Sequence, residues 1–181
     1  MTGLFETLTT QHKNIHKLVT LIEKEIDRVD DGEMPNIELM ADMMQYLIRY
    51  VDVAHHPLEE TLMSIYESET DSTDESVATC KAQHKQILAL GQTFSAVIEG
   101  VREEQLVERQ QFVEAGRDYV ETQMEHMNLE EGKVFPVLRA ALSDEQIKQA
   151  DSEISSSRDP LFGAIVEDEY QKLYDYIIRS A

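Results

Sequence analysis

The chain has 181 residues, 36 of them acidic and 16 basic, which gives a net charge of −20 near neutral pH. This charge argues against binding to nucleic acid or to an anionic membrane surface, and no stretch approaches the roughly 20 apolar residues of a membrane span. The single cysteine excludes an intrachain disulfide and a thiolate metal cluster. Because the first residues also lack the pattern of a secretory leader, we expect a cytoplasmic protein with one substantial core.

The first half of the chain predicts two long helices. Apolar residues recur at three- and four-residue spacing over residues 4–29, which predicts the first helix. Residues 30–36 contain glycine and proline and predict a turn. A second helix is predicted from position 36 or 37 to about position 67. We expect it to kink or restart near His55, because Pro57 removes a backbone hydrogen bond.

The second half predicts another pair of helices. Residues 68–73 are polar and predict a loop. A third helix follows and is predicted to end with Gly100 as its C-terminal cap. The fourth is predicted over about 103–141, and Pro136 kinks it or ends its regular part.

The remaining residues predict a helical extension. Ser143, followed by Gln146 three residues later, predicts the start of a shorter fifth helix. The serine-rich segment 155–160 ends that helix, and an amphipathic segment follows over 161–178. No strand pattern occurs. We therefore predict an all-α fold, with an up-and-down four-helix bundle over residues 1–142 and a helical extension over 143–181 packed on it.

A metal-ligand pattern occurs twice on the predicted helices. The motif His-x-x-x-Glu-Glu begins at His55 and again at His126, and a His and a Glu four residues apart lie on one helical face. The tripeptide Gln-His-Lys also recurs, around His12 and around His84, at nearly equal distances before the two motifs. The chain therefore reads as two equivalent hairpins. The repeat predicts six metal ligands: His12, His55, Glu59, His84, His126 and Glu130.

These ligands indicate the class of metal. Imidazole and carboxylate donors without a thiolate suit iron, manganese or zinc. If Glu59 and Glu130 bridge two ions, each ion receives two imidazole nitrogens and two carboxylate oxygens. A bridging oxide or hydroxide would be a fifth ligand, which leaves a position for a small ligand such as dioxygen. Burying these polar side chains in a bundle core would be costly without the metal.

In this order, the motifs resemble the hemerythrin-like family, also called HHE cation-binding domains. The resemblance covers about residues 4–141 and includes the sequence Val-Phe-Pro at 134–136, after the second glutamate pair. It implies two non-haem iron ions inside an up-and-down bundle, although manganese or zinc would satisfy the same ligands. Members of the family carry oxygen, sense oxygen or redox state, scavenge peroxide or nitric oxide, or repair iron–sulfur clusters.

The chain departs from the respiratory members of that family. Those have five histidines, with a His-x-x-x-His on the third helix, whereas Leu88 follows His84 here by four residues. His-x-x-x-His occurs on the first helix instead, at His12 and His16. By the pseudo-symmetry of the two hairpins, His16 could supply the fifth imidazole, so we include it among the predicted metal ligands. The alternative is a hydrogen-bonded histidine one turn away from the site.

The residues next to the predicted ligands are not expected to bind the metal. His56 is rotated about 100° from its neighbour on a helix, so we expect it at the surface or behind the ligands. Glu60 and Glu131 are expected outside the site, where they could accept hydrogen bonds from metal-bound imidazoles. Cys80 is expected to be a small buried residue, with a redox role as the alternative.

Three kinds of function remain open from the sequence. Carriage or sensing of dioxygen or another diatomic predicts seven protein ligands, His16 included. Activity on peroxide, nitric oxide or damaged iron–sulfur clusters predicts six ligands and an accessible site. The third is storage or structural use of the metal. We expect a non-haem di-iron protein for oxygen binding or sensing, or for the response to oxidative or nitrosative stress. Whether it is an enzyme, and which protein is its partner, the sequence leaves open.

Overall fold

The computed structural model describes residues 3–70, 74–154 and 159–180. Within these ranges the chain is all helical and contains no strand, which confirms the predicted fold class. Two segments predicted as irregular, 68–73 and 155–160, lie partly outside the described residues. Among the described helices, none combines the length and the apolar character that crossing a bilayer requires.

The described residues form eight α-helices, numbered in chain order. They are α1 (Leu4–Asp30), α2 (Ile37–Tyr46), α3 (His56–Thr70), α4 (Glu75–Arg102), α5 (Arg109–Leu129), α6 (Phe135–Ala141), α7 (Asp144–Ile154) and α8 (Gln171–Ser180). Two π-helical segments make continuous joints, Leu47–His55 between α2 and α3 and Glu130–Val134 between α5 and α6. Four long arms result: α1, α2 with α3, α4, and α5 with α6.

Each π-helical segment lies just before a proline. Pro57 and Pro136 are the second residues of α3 and α6, and neither has a backbone N–H to donate. The amide just before each proline donates to the carbonyl five residues back, His56 to Val51 and Phe135 to Glu130. The interruption predicted near His55 is therefore present, as a widened turn that keeps the arm continuous. π-helical segments are frequent at functional sites.

The connection between the third and fourth arms differs from the prediction. The helix expected to end at Gly100 continues to Arg102, and the next begins at Arg109. The stop is made by Glu104, which has a positive φ of 59°. Its amide and the next one donate to two carbonyls of the last helical turn, which is the closure usually made by glycine. A glutamate at this position carries no sequence signal for a stop, so the boundary could not be predicted.

The bundle contains two apolar clusters with a polar layer between them. The first cluster contains, among others, Ile15, Ala54, Ile87 and Met127. The second contains, among others, Leu8, Leu58, Cys80 and Val134. In every arm the predicted ligands lie between a residue of the first cluster and a residue of the second. The chain passes between the clusters in alternating directions along the four arms, the order that an up-and-down bundle requires.

The helical extension begins with the capping box predicted from the sequence. The Ser143 amide donates to Gln146 Oε1 (2.9 Å), and the Gln146 amide donates to Ser143 Oγ (3.4 Å). Helix α7 then packs against α3 and α1, and α8 packs against α2. The extension therefore lies against the bundle.

The last predicted helix is shorter than expected. It was predicted over 161–178, but α8 begins only at Gln171. Asp159 accepts hydrogen bonds from the amides of Leu161 (2.9 Å) and Phe162 (2.8 Å). Such a side-chain turn competes with helix formation, which explains why the apolar periodicity was misleading there.

Candidate metal centre

Seven side chains converge in the polar layer and form what we call the cage. They are His12, His55, His56, Glu59, His84, His126 and Glu130. Helix α1 contributes one, the second arm contributes three (one from its π-helical joint and two from α3), α4 contributes one, and the fourth arm contributes two. None of the seven is more than 4% exposed. The structure thus brings together all six ligands of the predicted repeat, and adds one residue.

The two carboxylates lie between the imidazoles. Glu59 Oε1 is 3.3 Å from His12 Nε2 and 3.1 Å from His55 Nε2, while Glu59 Oε2 is 3.6 Å from His84 Nε2. Glu130 Oε2 is 3.2 Å from both His12 Nε2 and His126 Nε2. Its other oxygen is 3.5 Å from His84 Nε2. Each carboxylate therefore spans from the imidazoles of the first hairpin to those of the second.

The added residue is His56, which was wrongly expected at the surface or behind the ligands. Its ring stacks on that of His84, with centroids 4.4 Å apart and an interplanar angle of 17°. Its Nε2 is buried without a hydrogen-bond partner. The expectation failed because a packed helix buries a stripe at least about 100° wide, so consecutive residues can both face inward. The pair His55-His56 and the absence of a histidine at position 88 were the available signals.

His16 lies outside the cage. Its side chain is exposed, and its Nδ1 is 3.3 Å from the Thr20 hydroxyl. Between His12 and His16 the inward position on α1 is taken by Ile15, which is 2% exposed. The expectation that His16 supplies a fifth imidazole is corrected accordingly. The fifth imidazole of the cage is that of His56, which lies on the other side, beside His84 and His126.

Glu60 and Glu131 lie outside the cage, and each orients one imidazole by accepting a hydrogen bond from its Nδ1, as expected. His12 Nδ1 donates to Glu131 Oε1 (3.0 Å), and His84 Nδ1 donates to Glu60 Oε1 (3.1 Å). Each of these hydrogen bonds joins the two hairpins, because Glu131 belongs to the second hairpin and His12 to the first, whereas Glu60 belongs to the first and His84 to the second. These bonds hold the Nδ1 protons and leave Nε2 as the nitrogen that faces the cage.

Two further orienting groups were missed from the sequence. His55 Nδ1 donates to Gln11 Oε1 (2.9 Å), and His56 Nδ1 donates to Asp52 Oδ1 (3.0 Å). Gln11 belongs to the repeated Gln-His-Lys, so the repeat itself was the signal for it. Asp52 lies one helical turn before His56, a spacing that becomes informative only once His56 is known to face inward.

The cage carboxylates are ionised and two imidazoles are protonated in the metal-free protein. Burial raises the pKa of Glu130, but the surrounding imidazoles outweigh burial and lower it to about 2. The pKa of Glu59 is lowered well below its usual range for the same reason. Burial lowers the pKa of His12 and His84, yet the carboxylate oxygens of Glu59 and Glu130, 3.2–3.6 Å from their Nε2 atoms, outweigh it and raise both to about 10. Burial dominates at His126 and lowers its pKa to about 4.

The donor atoms are arranged around common points rather than paired with one another. Six of them are buried without a hydrogen-bond partner: His12 Nε2, His56 Nε2, both oxygens of Glu59, His126 Nε2 and Glu130 Oε2. An unsatisfied buried polar atom costs about 1–3 kcal/mol, so this many in one cluster indicates that a ligand satisfies them. Nitrogen and carboxylate oxygen donors that face shared points fit metal cations.

A cavity of about 380 Å³ lies beside the cage, between α1 and α5. Its lining residues are His12, Lys13, His16, Lys17, Met124, Met127, Asn128 and Glu131. His12 belongs to both the cage and the cavity wall, so the cavity lies directly beside the buried donors.

Cys80 is buried, as expected, and it contacts the cage. Its thiol donates to Glu130 Oε1 (3.1 Å), and its sulfur is 3.9 Å from His84 Nε2 and from His126 Nδ1. Burial and the negative charge of Glu130 raise the pKa of the thiol. Its spacing of four residues before His84 was the only sequence signal for this contact.

Comparison with known families assigns the same part of the chain to cation binding. Residues 3–138 match the family described as the hemerythrin HHE cation binding domain. No curated protein and no solved structure matches the chain. The matched range includes every residue of the cage and the four arms except the last three residues of α6, and it agrees with the resemblance that the motifs carried.

Proposed function

The chain belongs to the hemerythrin HHE cation-binding family, and we propose that it is a non-haem di-iron protein that binds dioxygen or a related small ligand. The observation that carries this proposal is the unequal division of the cage. Two imidazoles lie on one side of the bridging carboxylates and three lie on the other.

Each metal ion has its own set of residues in this proposal. His12 and His55 would hold the first ion, His56 with His84 and His126 would hold the second, and Glu59 and Glu130 would lie between the two. The first ion then has four protein donors and the second has five. With a shared oxide or hydroxide as one more ligand, the second ion would reach the six ligands that iron prefers, and the first would have five and room for an added small ligand. Iron supplies the electrons and the coordination position that bind a diatomic molecule.

The protein restricts what reaches the centre. The cage donors are at most 4% exposed, so only a molecule of a few atoms fits among them. The cavity beside His12 is bordered by Met124 and Met127 on its apolar side. This burial supports dioxygen, nitric oxide or peroxide as the ligand, for oxygen binding or sensing or for a stress response. It disfavours repair of iron–sulfur clusters, which needs access for a second protein.

The orienting hydrogen bonds support binding at nearly fixed geometry. Gln11, Asp52, Glu60 and Glu131 each hold one imidazole ring through its Nδ1. Such groups set the ring orientation and raise ligand basicity. They would let the imidazoles bind an ion without rearrangement of the side chains.

Metal stoichiometry with two histidine variants tests the proposal. After anaerobic reconstitution with ferrous iron, we expect two irons per chain in the unaltered protein and in His16→Ala. We expect His56→Ala to lose most of the second iron, because one of its five protein donors is removed. Full occupancy in His56→Ala, or loss in His16→Ala, would contradict the assignment.

Exposure to air separates the functional alternatives. An absorption band that develops in air and disappears on removal of oxygen supports reversible binding. A band that forms irreversibly, with consumption of added peroxide or nitric oxide, supports detoxification. Absence of any spectral response in the iron-loaded protein would leave storage or structural use of the metal as the function.

A further inference from the structure

Cys80 contacts the cage with a possible metal donor, and the di-iron proposal gives it no role. Its sulfur is 3.1 Å from Glu130 Oε1 and 3.9 Å from His84 Nε2. The same two neighbouring residues, Glu130 and His126, each carry a buried atom without a hydrogen-bond partner, Oε2 and Nε2. Cys80, His84, His126 and Glu130 each offer a donor atom, and these four atoms lie within 4.8 Å of one another.

The thiol occurs in only one half of the repeat. Leu8 lies four residues before His12, and Cys80 lies four residues before His84, the equivalent histidine of the second hairpin. Both are fully buried. The apolar Leu8 suits a helix face that packs in the core. On the other half, a sulfur donor occupies the corresponding place, directly beside an imidazole and a bridging carboxylate.

The two hairpins also differ in what faces the Nδ1 atoms of His55 and His126. Gln11 accepts a hydrogen bond from His55, but the equivalent Gln83 has a buried Oε1 without a partner. His126 Nδ1 instead faces the Cys80 sulfur at 3.9 Å, which is long for a hydrogen bond. The sulfur is therefore not explained as an orienting acceptor for His126.

The distances fit an ion shared by three donors. Glu130 Oε1 is 3.1 Å from Cys80 Sγ and 3.5 Å from His84 Nε2, and the sulfur and this nitrogen are 3.9 Å apart. An ion about 2.1 Å from the oxygen and the nitrogen and about 2.3 Å from the sulfur would have angles of about 90–125° between them. These angles are close to those of a tetrahedral site.

We propose that Cys80 is a thiolate ligand of the metal ion held by His84 and Glu130, and that it makes this position a high-affinity site for zinc or cobalt(II). Sulfur binding breaks the S–H bond, the Sγ–metal bond forms, and the proton is released to solvent without any change of oxidation state. His126 completes a Cys-His-His-Glu set typical of zinc. This inference rests on the proposed metal binding in the cage and not on iron.

The position then discriminates between metals. Soft thiolate ligands favour zinc over iron and manganese in a mixed donor set. The same ion position can be completed by His56 and Glu59, with oxygen and nitrogen donors only. The protein would therefore take either a di-iron centre or a zinc-containing centre according to the metal that is available.

Cobalt(II) titration tests the thiolate directly, because Cys80 is the only cysteine in the chain. We expect a near-ultraviolet thiolate-to-cobalt charge-transfer band that saturates with one equivalent, together with visible bands from the bound ions. Cys80→Ser should lose the ultraviolet band and still bind cobalt. It should bind zinc at least about tenfold more weakly.

X-ray absorption of the zinc-loaded unaltered protein needs no variant and is independent of folding defects. One sulfur at about 2.3 Å from zinc is expected. Zinc in the cage without sulfur scattering, or an unchanged cobalt spectrum in Cys80→Ser, would overturn the thiolate assignment while leaving the metal cage intact. Failure of either ion to bind at all would instead refute the proposed metal function.

Discussion

Metal binding to the cage should release protons from two named histidines. In the metal-free protein, the pKa values of His12 and His84 are raised to about 10, since both imidazoles contact Glu59 and Glu130. Both are therefore protonated at neutral pH. A cation binds only the unprotonated nitrogen, so each bound imidazole must give up its proton.

The size of this effect follows from the pKa values. At pH 7.5, removing a proton from a group of pKa about 10 costs about 3 kcal/mol, because one pKa unit corresponds to about 1.4 kcal/mol. The two imidazoles together cost about twice that. Burial lowers the pKa of His55 and His126, so neither adds a proton at this pH. Between pH 7 and pH 9 the affinity for each ion should therefore rise about tenfold for each pH unit, and the product of the two binding constants about a hundredfold.

Calorimetry measures the protons directly. Zinc is titrated into the metal-free Cys80→Ser variant at pH 7.5 in several buffers with different ionisation enthalpies, and the slope gives the protons released. We expect at least two per chain when both ions are bound. The unaltered protein should release one more, from the thiol. Release of less than one proton by the variant would refute the reasoning, because the carboxylates would not then hold the imidazoles in their charged form.

The stability of the metal-free protein should have the opposite pH dependence. A raised histidine pKa stabilises the folded state fully below the unfolded value of 6.5, and this contribution is lost as pH rises through about 10. Chemical denaturation of the metal-free protein should therefore show a lower free energy of unfolding at pH 9.5 than at pH 6.5. The metal-loaded protein, which no longer carries these protons, should not show that loss.

Three further substitutions test the surroundings of the cage and one helix end. Glu131→Ala removes the acceptor behind His12 and should weaken metal binding by about 10–100-fold, whereas the exposed Glu125→Ala should have no effect in the same titration. Met124→Trp fills part of the cavity beside the cage, so stopped-flow measurements should show slower ligand association with unchanged metal content. Glu104→Gly relieves the positive φ of 59° and should raise the free energy of unfolding by about 0.5–1 kcal/mol; an unchanged or lower value would mean that the left-handed turn is not strained.

Local spacing was sufficient to predict much of the site. Four-residue spacing places His55 with Glu59 and His126 with Glu130 on shared helical faces, whatever the packing of the bundle. The repeat around His12 and His84 then completes the set of six. These inferences held because helix geometry is regular and depends on near neighbours in the sequence.

Four-residue spacing did not predict how far each helix is buried or how the helices are joined. His56 is buried beside the predicted ligands and His16 is exposed, contrary to the expectations, because the sequence does not say how wide a stripe of each helix is buried. Pro57 predicted an interruption near His55 but not its form as a π-helical turn. The left-handed Glu104 has no signal in its residue type.

The sequence by itself determined an all-helical chain, the repeated hairpin and the chemistry of six donors, because helical periodicity and residue type are local properties. Only the tertiary structure decided that His56 enters the cage, that His16 stays at the surface and that Cys80 contacts Glu130. These depend on the rotation of each helix about its axis and on contacts between residues as far apart as 80 and 130. Such contacts are set by the packing of the two apolar clusters on either side of the cage.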